Sequence, residues 1–199
     1  MKLITQTASR ISKTFALASL LACSSLSFAS QLLAVVDDFS HETSNKLGVP
    51  RQFVTDAVAG GKTQGKLEVV DGKLKIKGDI VPPRGQPGWA SSVLLLDAKG
   101  MPQDVSGYRG VRLLVRVNKG QLSLTANSTD VTNFDYHAAP LIVPADGQFH
   151  EINVPFDSMK RAWSEQTALN TKTINGLSIV AFSLQQAAFD YELDEVRFY

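Results

Sequence analysis

An all-β sandwich is the fold that this sequence predicts, and three observations predict it. Short segments with apolar residues on every second position recur along the chain, the spacing of a strand with one face in a core. Clusters of Gly, Asn, Asp, Ser and Pro separate those segments and supply turns. No segment sustains the 3.6-residue period of a long helix, which argues against alternating strand–helix units. With 199 residues, 44% of them apolar and 20% charged, the chain has material for one domain of the larger all-β size.

Residues 1–29 have the pattern of a secretory signal. Met1 to Lys13 is basic and free of acids, Phe15 to Leu26 is apolar and small, and Ser27-Phe28-Ala29 ends in small residues that a signal peptidase accepts. Cleavage after Ala29 is expected, leaving one domain over residues 30–199 that is exported, periplasmic or secreted. Leu20-Leu21-Ala22-Cys23 also resembles a bacterial lipoprotein box, so the alternative is an outer-membrane lipoprotein anchored through Cys23. A mitochondrial presequence is a third reading, set against by the single Arg and the blocked apolar run. No later segment holds the roughly 20 consecutive apolar residues of a transmembrane helix. Cys23 is the only cysteine, so the domain itself has no disulfide, thiolate nucleophile or cysteine metal ligand. Without Lys2, Arg10 and Lys13 the chain carries 17 basic and 19 acidic residues, a balance that gives no electrostatic reason to expect nucleic acid.

Leu32 to Phe39 is the first expected strand, and the polar Ser40 to Arg51 a loop. Asp56 to Leu67 holds three glycines within six residues and reads as a tight loop. Its Gly61-Lys62-Thr63 imitates the end of a phosphate-binding loop. Asp56, however, stands where that loop needs a glycine, and a hairpin rather than a helix follows. In that hairpin Leu67, Val69, Leu74 and Ile76 alternate about Asp71-Gly72, a pair suited to a two-residue turn. Val81 to Gly88, with three prolines, is an exposed crossing, and Gly88 to Leu96 resumes β-structure.

Asp104 to Gly110 is turn chemistry, and Val111, Leu113, Val115 and Val117 then alternate with Arg112, Leu114 and Arg116. Gln121 to Ala126 pairs back across Asn118-Lys119-Gly120. Asn133 to Ala138 is aromatic and polar by turns, Leu141 to Pro144 apolar, Asp146-Gly147 a turn, and Phe149 to Phe156 a further strand. Asp157 to Asn175 is expected to be a long surface loop with room for a short helix. Leu177 to Leu184 is apolar on both faces, as in a strand covered from both sides. In the last strand Phe189, Tyr191 and Leu193 alternate before the phase shifts to Val196 and Phe198. One extra residue near Asp194 or Glu195 produces such a shift, so a β-bulge is expected there. The total is about nine or ten strands.

Several of these segments carry a resemblance. Asp56, Gly60, Gly61, Thr63 and Gly65 meet an Asp-x-x-x-Gly-Gly-x-Ser/Thr-x-Gly pattern. Gly88-Trp89-Ala90-Ser91 and Asp104-x-Ser106-x-Tyr108-x-Gly110 are two further matches, and Phe149 to Phe156 fits a Trp-x-x-Val-x-Leu/Val-Pro-Phe strand with Phe149 in place of Trp. Over roughly residues 35 to 199 the chain resembles the complex I intermediate-associated protein 30 family, with certain carbohydrate-binding modules as neighbours. The resemblance implies a jelly-roll β-sandwich of the galactose-binding-like kind. It also implies a non-catalytic binding or assembly-factor role, in which a sheet face and loops recognise a protein partner. The alternative is a carbohydrate-binding module with an aromatic platform.

The residues themselves bear on that choice. His41, His137 and His150 form no metal-ligand motif, and no Gly-x-Ser-x-Gly elbow is present. Paired carboxylates for glycoside hydrolysis are not identifiable from spacing, so no enzymatic activity and no cofactor are expected. Asp37, Asp38 and Asp194, on first and last strands that run side by side in such folds, could together hold a structural calcium; separately paired or solvated carboxylates are the alternative. For a ligand, the candidates are aromatics interleaved with polar groups: Trp89, Asn133, Phe134, Asp135, Tyr136, His137 and Trp163. A sugar ring stacks its C–H face on an aromatic while its hydroxyls bond to Asn, Asp or Arg. The alternative for each aromatic is plain core or rim packing.

Overall fold

The computed structural model describes residues 32–199, and the expected signal segment with Cys23 lies outside them. Twelve strands are present among the described residues: β1 (Val35–Asp37), β2 (Gln52–Thr55), β3 (Gln64–Val70), β4 (Lys73–Ile80), β5 (Gly88–Leu95), β6 (Gly110–Lys119), β7 (Gln121–Ser128), β8 (His137–Leu141), β9 (His150–Pro155), β10 (Lys160–Arg161), β11 (Ile174–Ser183) and β12 (Ala187–Phe198). They form two antiparallel sheets. The first has the order β3-β4-β12-β6-β9, with β1 pairing the end of β12 beyond β4; the second has the order β10-β8-β7-β11-β5-β2.

Alternation dictates which side chains meet between the sheets. Leu74, Ile76, Leu113, Val115, Phe189, Tyr191 and Leu193 face inward from the first sheet and are fully buried. Leu94, Leu124, Leu177 and Ile179 meet them from the second. Tyr191 crosses the gap to donate its hydroxyl to the carbonyl of Ile179. The Asp71-Gly72 turn has positive φ at both residues, which is why the β3–β4 hairpin takes an Asp-Gly pair.

The bulge in the last strand is present. Leu193 is opposite Val115 and Glu195 is opposite Leu114, so Asp194 is the extra residue. Two strands were not anticipated. β2 is a four-residue edge strand on β5, and β10 pairs only two residues of β8, too few for a period to register. The segment Asp157 to Asn175 is therefore not loop throughout: a 3-10 turn (Phe156–Ser158) and β10 occupy its start.

Leu177 to Leu184 owes its two apolar faces to something other than a second covering layer. Leu177, Ile179 and Ala181 face the core, whereas Ser178, Val180 and Phe182 line an open groove on the outer side of the second sheet.

Candidate functional site

The groove has a volume of about 890 Å3. Its floor is the outer face of β5, β11, β7 and β8, about 14 Å across at the usual strand spacing. The register aligns Val93, Ser178, Thr125 and Ala138 in one row and Ser91, Val180, Ser123 and Pro140 in the next. Small hydroxyl and apolar side chains thus share each row. Among the described residues no acidic, basic or histidine side chain lines the groove. The outer face of the first sheet is the opposite, covered by ion pairs such as Arg112–Glu195 at 2.8 Å and Arg112–Glu151 at 3.4 Å. A charged ligand has no counter-charge in the groove, whereas an uncharged one with hydroxyls meets matching donors and acceptors.

Aromatic residues border the floor on both sides. Trp89 and Phe182 are opposite each other on β5 and β11. Phe134, Tyr136 and Trp163 stand over the β8–β10 side, with Trp163 meeting Tyr136 edge-to-face at 5.2 Å and 85°. Trp163 is 61% exposed and Phe134 94% exposed. Core packing therefore does not account for either.

Asp135 builds this side of the groove. Its carboxylate accepts hydrogen bonds from the backbone N–H of Tyr136, Ala162 and Ser164, at 2.8, 3.1 and 3.0 Å, and from Arg161 Nε at 2.9 Å. Burial by itself would raise its pKa, but those donors outweigh it and hold the carboxyl well below the usual carboxylate range. Asn133 adds to the clasp, accepting from Arg161 Nη2 at 2.9 Å and donating to Ser164 Oγ at 2.8 Å. Two loops distant in sequence are thereby stapled so that Tyr136 and Trp163 meet. Burial and the neighbouring Asp135 charge both raise the pKa of the Tyr136 hydroxyl, leaving it protonated and able to donate.

The residues expected to bind therefore divide. Trp89, Phe134, Tyr136 and Trp163 line the groove. Asp135 and Asn133 turn toward the loop of residues 161–164 and hold the rim. His137 is buried on the core side, with Nε2 2.9 Å from the carbonyl of Thr167.

The three acids considered for calcium are each paired separately. Asp37 is buried against Arg51, with contacts of 2.6 and 2.8 Å; Asp38 meets Lys46 at 2.8 Å, and Asp194 is 3.8 Å from Lys73. Among the described residues no group of three or more His, Cys, Asp or Glu side chains is placed to hold a metal.

Sequence reasoning missed the floor and a support beneath the opposite rim. Ser91, Ser123, Thr125 and Ser178 left a signal, since short hydroxyl residues occupy strand positions that a wet face ordinarily gives to long charged ones. The support is Asp56, whose buried carboxylate accepts from Thr63 N–H, Thr63 Oγ1 and Trp89 N–H at 3.0, 2.7 and 3.1 Å. Gly61 sits against that carboxylate so closely that a Cβ would collide with it. The Asp-x-x-x-Gly-Gly-x-Thr motif is thus a latch that seats the start of β5 and with it Trp89.

The family model of complex I intermediate-associated protein 30 matches residues 38–194. No curated protein matches the chain significantly. Among solved structures, the family 11 carbohydrate-binding module of a cellulosomal cellulase of Clostridium thermocellum is 14% identical with a TM-score of 0.58, over 82% of this chain and 92% of that one. The Clostridium thermocellum family 11 module in complex with a β-1,3-1,4-mixed-linked tetrasaccharide gives the same identity and TM-score, over 83% and 94%. An agarase is 11% identical with a TM-score of 0.52, over 82% of this chain but only 24% of its own. These structures share the two-sheet sandwich.

Proposed function

The chain belongs to the complex I intermediate-associated protein 30 family, and on that basis we propose that it is a non-catalytic binding module whose recognition face is the groove of the second sheet. The ligand that suits this groove best is an uncharged oligosaccharide or polysaccharide chain. One observation carries the reading: a floor of hydroxyl and small apolar side chains without a charge, flanked by aromatic residues on both sides. Aromatic faces take sugar C–H surfaces, and hydroxyls replace the water bonds that sugar hydroxyls give up. The tetrasaccharide complex of the family 11 module lends support from outside the chain.

A second reading is favoured by a specific observation. Ile142 and Leu184, which follow β8 and β11 directly, are 83% and 79% exposed, and aliphatic residues suit a protein partner better than a sugar. In that reading the groove and its rim grip a partner during assembly, as the family's description suggests. Affinity gels cast with mixed-linkage β-1,3-1,4-glucan or agarose test the choice. Under the glycan reading the protein is retarded and Trp163→Ala or Tyr136→Ala restores its mobility. An unretarded protein that co-purifies with one defined partner, and loses that partner on Leu184→Asp, reverses the order of the two readings. The basic, apolar and small-residue succession of residues 1–29 supports action after export, with a Cys23 lipid anchor as the alternative.

A further inference from the structure

Phe134 combines two unfavourable features. Its φ is +62°, in the left-handed region that suits Gly or Asn and disfavours a bulky side chain. Its phenyl ring is 94% exposed at the groove's lip. Neither feature stabilises the isolated domain, yet the residues on either side are held firmly. Asn133 is tied to Arg161 and Ser164, and Asp135 to Arg161, Ala162 and Ser164. The backbone between two such anchors has no freedom to relax Phe134 into an ordinary conformation. Strain that persists because its surroundings over-determine it is a feature of ligand sites.

We propose that Phe134 is a ligand-contacting residue, an aromatic held out at the lip so that a bound sugar ring stacks on it and completes the wall begun by Tyr136 and Trp163. This deepens the glycan reading of the groove and rests on it. The ring is flat, uncharged and unobstructed, which suits the C–H face of a pyranose. It also predicts an opposition between stability and binding that a packing residue would not produce. Removing the side chain relieves the backbone and loses the contact.

The test uses the full chain and two uncharged probes, mixed-linkage β-1,3-1,4-glucan and agarose, in affinity gels, with thermal unfolding measured alongside. Phe134→Gly is expected to raise Tm by about 2 °C and to weaken retardation roughly tenfold on the probe that retards the wild type. Phe134→Leu, apolar but not flat, is expected to weaken it similarly, whereas Phe134→Trp preserves it. If Phe134→Gly binds as the wild type does while Trp163→Ala does not, the groove reading stands and the role of Phe134 is overturned. If neither probe retards the wild type, the glycan reading falls and the proposal with it.

Discussion

Asp135 shows how a single carboxylate can determine a surface it does not itself present. Its side chain is fully buried and its four donors come from residues 136 to 164, so its loss would release both loops at once. Asp135→Asn leaves Arg161 without its charge partner; breaking a buried pair in this way costs roughly 3–5 kcal/mol. The expected result is a lower Tm together with a red-shifted Trp163 emission, and an unchanged spectrum would refute the clasp. The pH dependence follows from the same bonds. A carboxyl held below its ordinary pKa contributes stability that is complete above the unfolded value of about 3.9 and is lost as pH falls through the folded one. Trp163 emission should therefore stay constant from neutral pH to about 4 and change only in stronger acid; a midpoint near neutrality would assign the rim to another group.

Among the elements, β12 organises most of the first sheet, because β4 and β1 share one of its edges and β6 takes the other. Asp194 is the extra residue that lets Leu193 and Val196 both face the core. Were Asp194 paired as in a regular strand instead of bulged, the alternation would turn Val196 and Phe198 outward. Deletion of Asp194 places Val196 two residues after Leu193, so both still face the core without a bulge. A cooperative unfolding transition is expected to persist, and Asp194→Ala should likewise move Tm little. A deletion variant that no longer unfolds cooperatively would show that the bulge itself, and not only the inward phase of Val196, is required. This phase shift was legible in the sequence because it interrupts a strict period. β2 and β10 were not, because an edge strand of four residues or two is fixed by a partner far along the chain and leaves no period of its own.

For the whole molecule, the two sheets carry opposite surfaces. The outer face of the first neutralises itself through ion pairs, while that of the second is an uncharged groove with aromatic borders. On the proposed reading recognition is one-sided, and the fate of residues 1–29 bears on where it operates. Export predicts a mature protein starting at Ser30 in mass spectrometry; a diacylated Cys23 would overturn that and give a lipid-anchored module. By itself the sequence determined the all-β class, the Asp71-Gly72 hairpin, the bulge and four of the five aromatics that line the groove, since local periodicity, turn chemistry and residue type are written along the chain. The tertiary structure alone decided that Asp135 and Asn133 tie two rim loops together, that His137 lies inside, and that Ser91, Ser123, Thr125 and Ser178 share one floor. Those roles depend on which strands become neighbours, and neighbours in a sandwich are brought together from distances in sequence that no local pattern spans.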